Sequence, residues 1–110
     1  MSAATPIGEL RTRLTLEAPS RTGDGGGGAA VTWSTVAEVW AAVRPTAAGE
    51  SFDLGRVAGK ITHEIVIRHR GGVVPEMRFR AGTRVFDIRA AFDPDARRRW
   101  IKCLAEERDL

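Results

Sequence analysis

The side chains able to do chemistry in this sequence are few and scattered. His63 and His69 are separated by five residues, Cys103 is the single cysteine, and Asp93 and Asp95 flank Pro94. A metal site needs ligands that converge on one point. On one strand the two histidines would stand ~20 Å apart, at about 3.3 Å per residue, so both read as strand residues near the ends of a core face. A nucleophilic thiol needs a positioned base. None is apparent for Cys103, and a small apolar strand residue is the simpler reading. Asp93 and Asp95 could form a carboxylate pair, but Asp-Pro-Asp is first a turn signal. No nucleophile–base set, metal-ligand spacing or dinucleotide fingerprint is legible. An enzyme is therefore disfavoured, and no cofactor is expected.

The other chemically active group is arginine. The chain has 17 basic and 14 acidic residues, a net charge of +3. From Arg68 to Arg99 nine arginines face only Glu76, Asp87, Asp93 and Asp95. Such an excess can attract phosphate. Yet no aromatic residues interleave with these arginines as a base-stacking platform requires. Solvated strand faces, or arginines paired with acids of a neighbouring subunit, are the preferred reading.

What positions these groups is a single small domain. A chain of 110 residues buries only a modest core, so partners can supply part of its stability. No apolar stretch has the length of a membrane span. The N-terminus lacks a basic segment followed by an apolar one, so no signal peptide is expected and the protein should stay in the cytoplasm where it is made.

Alternation defines most elements. In "LRTRLTLE", Leu10, Thr12, Leu14 and Leu16 share one face of a half-buried strand. Residues 18–30 hold Gly23 and Gly25 to Gly28 and read as a flexible hairpin connection. A phosphate-binding loop would need a Lys-Ser/Thr ending and a following helix, and has neither. The segment "VTWSTVAEVWAAVRP" places Val31, Trp33, Thr35, Ala37, Val39, Ala41 and Val43 on one face of a long strand. Its Val, Thr and Trp content suits a pleated surface, although Trp33, Ala37, Trp40 and Arg44 would also align on a helix. As a strand it leaves Trp40 on the mixed face, free to meet something outside the core. Pro45 ends it.

Residues 46–60 form a long connection with apolar anchors at Phe52, Leu54 and Val57, and a short helical turn over Ser51 to Val57 is possible. "ITHEIVIRHR" reads as a strand with Ile61, His63, Ile65, Ile67 and His69 on one face. "EMRFRAG" sets Met77 and Phe79 opposite Arg78 and Arg80. "TRVFDIRAAF" sends Phe86, Ile88, Ala90 and Phe92 inward. "RRRWIKCLAEE" fits either a strand or a helix, and its place after a series of strands favours a strand. About six strands with short turns make an all-β fold, a small antiparallel barrel or sandwich.

The order of these motifs resembles the head–tail joining family of tailed bacteriophages, the head completion or stopper proteins, which also occur in gene transfer agents. The likeness rests on the Trp-Ala-x-Val-x-Pro run ending at Pro45, Glu50 after it, Thr-His before an isoleucine-rich strand ending at Arg68, and Arg84 to Ile88. It covers nearly the whole chain. It implies a β-barrel working as a hexameric or dodecameric ring between a portal or adaptor above and a tail terminator or tube below. Such a ring retains double-stranded DNA without reading its sequence, within a virion or phage-like particle. It also implies that the long connection, with Glu50, Ser51, Phe52, Asp53, Leu54, Arg56 and Val57, lines or closes the channel. Trp40, Arg44, Arg68, Arg78 and Arg80 are the expected subunit interface. The competing hypothesis is a stand-alone barrel of the oligonucleotide-binding type, which would need exposed aromatics on a basic strand face.

Overall fold

A computed structural model describes residues 10–23, 29–46 and 61–108. Six strands follow one another: β1 (Thr12–Gly23), β2 (Ala29–Pro45), β3 (His63–Arg68), β4 (Arg78–Ala81), β5 (Arg84–Phe92) and β6 (Trp100–Glu107). Every pairing is antiparallel, and the order β1-β2-β3-β6-β5-β4 closes into a barrel. The expected all-β barrel is therefore the fold found. Its described residues include no helix, so none is long and apolar enough to cross a membrane.

The barrel interior is filled by alternate residues of each strand. Leu14 and Leu16, Ile65 and Ile67, Phe79, Phe86, Ile88 and Cys103 are all but inaccessible to solvent. Phe79 and Phe86 are direct partners across the β4–β5 ladder. The two strands meet through a two-residue turn, where Gly82 takes φ +61°, as a tight hairpin requires. The C-terminal segment, open between helix and strand, is a strand: Ile101, Cys103 and Ala105 line the core. A second, smaller apolar cluster lies on the outer face, where Ala42, Val66 and Trp100 pack together with Leu10 against them.

Two bulges overturn the simple alternation. In the β1–β2 ladder Leu16 pairs with Ala37 but Glu17 pairs with Thr35, leaving Val36 as an extra residue. Beyond it the faces of β2 swap. Val39, Ala41 and Val43 point to the core as expected, while Trp33 goes to the outer side, over Arg78. The second bulge lies in β5, where Ile88 pairs with Ala105 and Ala90 with Leu104. Arg89 is the extra residue. Ala91, not Ala90, therefore packs on the core, and Phe92 turns out to solvent instead of inward.

Strand limits also differ. The first strand starts at Thr12 and the third spans only His63–Arg68. Residues 18–23 and 29–30, expected within a glycine-rich loop, are strand: β1 and β2 stay paired from Ala18↔Ser34 to Gly23↔Ala29. β3 accompanies β2 only along Ala41–Pro45, and β4 accompanies β1 only along Thr15–Glu17. The rest of the β1–β2 hairpin is thus a two-stranded arm running past the end of the barrel where β3 stops and β6 begins. The molecule's long dimension of 50 Å, against 29 and 27 Å, agrees with this. The expected helical turn over residues 51–57 lies outside the described residues.

Candidate docking surfaces

Three places could meet a partner: the barrel mouth, the outer face under the arm, and the arginine-rich end.

The mouth is where β1 and β3 start and β2 ends. A recess of about 290 Å³ opens there, lined by Leu14, Val43, His63, Arg84 and Phe86 among others. His63 lies edge-on to Phe86, with centroids 5.1 Å apart. Its Nδ1 is 2.9 Å from the Thr62 hydroxyl, and its Nε2 is 3.9 Å from Glu107. Burial lowers its pKa, an effect the Glu107 carboxylate opposes and the Arg84 charge reinforces. Arg84 donates two hydrogen bonds to Glu107, at 2.8 and 3.1 Å. Those bonds hold the Glu107 carboxyl below its ordinary value. The long connection leaves and re-enters at this mouth. Thr46 N–H donates to the Thr62 carbonyl at 2.9 Å, and the Thr46 hydroxyl to the Ile61 carbonyl at 3.0 Å. The expected channel residues Glu50, Ser51, Phe52, Asp53, Leu54, Arg56 and Val57 lie outside the described residues.

On the outer face Glu17 is only 5% exposed. Arg78 and Arg80 each donate Nε–H to it, at 2.7 and 2.9 Å. Burial alone would raise the Glu17 pKa, but those two bonds and charges outweigh it and the net shift is downward. The Trp33 ring covers Arg78. Arg78 and Arg80, expected at a subunit boundary because their charge looked unmatched, are matched within the chain.

The same holds for most of the basic excess. Arg84 pairs with Glu107, Arg89 with Glu106, Arg99 with Asp95, Arg108 with Asp87, and Lys102 with Glu64. Glu17, Glu64, Glu106 and Glu107 lie outside the Arg68–Arg99 stretch, so a count along it missed them, whereas Asp87 and Asp95 were counted there. Arg68, Arg70, Arg97 and Arg98 have no such carboxylate among the described residues, and Arg68 is exposed. Trp40 is exposed at 53%, with Arg13 5.5 Å from its ring centroid. Arg44 is exposed and borders a shallow groove with Arg11 and Thr12.

The groups considered for catalysis in the sequence serve the fold. Cys103 is buried in the core, and burial pushes its thiol up to about 12. No group of His, Cys, Asp and Glu among the described residues could hold a metal ion. Asp93 and Asp95 cap backbone N–H groups of their own turn: Asp93 accepts from Asp95 and Arg98, and Asp95 from Arg97.

Comparison with known proteins agrees with this architecture. A chain from the virion of a native gene transfer agent particle is 33% identical, with a TM-score of 0.68 over 89% of this chain and 94% of that one. The solution structure of protein SF1141 from Shigella flexneri 2a is 30% identical, with a TM-score of 0.71 over 94% of this chain and 96% of its own. No match was found among curated proteins. The family model for phage head completion proteins matches residues 5–108. The chain thus belongs to the phage head completion protein family and is a structural protein of phage-type particles.

Proposed function

We propose that the protein is a connector subunit that assembles as a ring between portal or adaptor and tail, retains packaged DNA and provides the surface on which the tail docks. The observation that carries this reading is the family match over residues 5–108. The 33% identical chain in a gene transfer agent virion points the same way. The geometry adds two supports. A closed barrel with most of its charges matched internally makes a rigid ring unit. A hairpin arm extending beyond it offers strand edges and side chains to neighbours. Double-stranded DNA would pass through the ring without sequence-specific contacts. Assembly would occur in the cytoplasm, and the finished subunit would sit at the head–tail junction.

In this reading residues Glu50 to Val57 face the channel; the described ends of their connection are joined at the mouth by the bonds from Thr46 to Thr62 and Ile61. Removing the chain from a particle-producing strain should leave heads that package DNA but lose it and carry no tails, as seen by electron microscopy. Normal tailed particles would refute the proposal. Deleting residues 47–58 should leave the barrel folded by circular dichroism and damage DNA retention. An unfolded deletion variant would refute the channel role of that segment.

A further inference from the structure

The barrel end opposite the mouth combines features found together at no other place among the described residues. Arg68, the last residue of β3, pairs with Trp100, the first of β6. His69 N–H donates to the Arg99 carbonyl at 3.0 Å, which joins the segment after β3 to the turn before β6. That turn is held by the Asp93 and Asp95 carboxylates, with Ala96 and Arg98 in left-handed backbone at φ 59° and 57°. Its rigid path projects Arg97 and Arg98 into solvent. One rung beyond Ala41↔Ile67, the outward-facing Trp40 of β2 comes level with Arg68. Phe92 ends β5 next to the same turn and is exposed.

Two observations set this end apart. The chain gives a carboxylate to Arg78, Arg80, Arg84, Arg89, Arg99 and Arg108, yet Arg68, Arg70, Arg97 and Arg98 have none among the described residues. Independently, two buried donors, Nε of Arg70 and Nε1 of Trp100, have no acceptor among the described residues. Trp100 is itself only 9% exposed. Buried donors are almost always satisfied, and both orphans belong to this end.

We propose that this end docks an acidic protein surface, whose carboxylates supply the acceptors that Arg68, Arg70, Arg97 and Arg98 lack while its apolar side chains cover Trp40 and Phe92. Exposed Trp40 and Phe92 favour a protein over double-stranded DNA. A duplex offers phosphates to guanidinium groups but keeps its bases stacked on one another and covers no apolar ring, whereas arginine beside aromatic residues is the composition of protein interface centres. Planar guanidinium groups also pair side-on with carboxylates, as Arg84 does with Glu107.

The inference rests on the connector reading, and its test separates the two. Heads from a strain lacking this chain are mixed with the purified full chain, and bound protein is measured by co-sedimentation. Naked duplex DNA is assayed at the same salt. Wild-type chain should bind heads, also after nuclease treatment has removed residual DNA, and bind duplex DNA weakly. The variant R68E/R97E/R98E, checked for folding by circular dichroism, should lose binding to heads by about tenfold or more. If reversal disturbs folding, R68Q/R97Q/R98Q is measured instead and should lose binding in the same direction. Unchanged binding of the folded variant would overturn this inference alone. Binding of the wild type to duplex DNA as tightly as to heads, lost in the variant, would overturn it in favour of nucleic acid. A wild-type chain that ignores the heads would overturn the connector reading together with it.

Discussion

The guanidinium carbon of Arg78 lies 4.0 Å from the centre of the Trp33 ring. The same guanidinium donates to Glu17, so one arginine joins the hairpin arm, β1 and β4. The bulge at Val36 makes this possible, because it sets Trp33 on the outer side.

Removing the Glu17 carboxylate leaves Arg78 largely buried without its counter-charge. Glu17→Ala should destabilise the protein by about 2–3 kcal/mol, less than a fully buried pair because Arg80 reaches solvent. In a chain of this size that is a fall of roughly 10 °C in melting temperature. A double-mutant cycle of Trp33→Ala and Arg78→Ala in urea should give a coupling of about 0.5–2 kcal/mol. No coupling would mean that the ring contact adds nothing to the arm's position.

Acid should weaken the fold in two stages. His63 has a folded pKa below its ordinary 6.5, so the unfolded chain takes up its proton first. Its contribution is complete above pH 6.5 and declines as pH falls through the folded value. Glu17 has a folded pKa below its ordinary 4.5. Its contribution is complete above pH 4.5 and is lost as pH falls through the folded value. Denaturation midpoints measured from pH 8 to pH 3 should show both declines. His63→Gln should flatten the upper one and Glu17→Gln the lower one.

Two tryptophans should behave in opposite ways. Trp40 is 53% exposed and Trp100 is 9% exposed. Trp100→Ala should cost about 3–5 kcal/mol. Trp40→Ala should cost no more than about 1 kcal/mol, mostly its contact with Arg13, but should weaken assembly into particles. Equal thermal losses in the two variants would contradict the outward placement of Trp40.

Cys103 should be silent until the barrel opens. At pH 8 a thiol held at about 12 and shut off from solvent is neither ionised nor reachable. Iodoacetamide should therefore label the protein in denaturant and leave the native chain unlabelled over the same period.

The parts legible in the sequence were those where alternation alone decides. Leu14 and Leu16, and Ile65 and Ile67, fell where period-two reasoning puts them. Alternation failed at Val36 and Arg89, because a bulge is set by the curvature needed to close a barrel and has no local signature here. Trp33, Ala90 and Phe92 were misplaced for that reason. Glu17 was correctly set opposite Leu16, but its burial was not visible: its partners Arg78 and Arg80 are 61 and 63 residues away. The expected interface residues divided the same way. The exposure of Trp40 and Arg68 could be found from face and strand end, whereas the internal matching of Arg78 and Arg80 depends on which strands become neighbours.

The β1–β4 ladder, which closes the barrel, has three rungs: Thr15↔Arg80, Leu16↔Phe79 and Glu17↔Arg78. It unites residues farther apart along the chain than any other ladder, and the entropy lost on closing a loop grows with its length. A short ladder spanning the largest loop is the last to form in folding and the first to part in unfolding. The Glu17 ion pair sits on that seam, so it acts as the latch that turns an open six-stranded sheet into a tube.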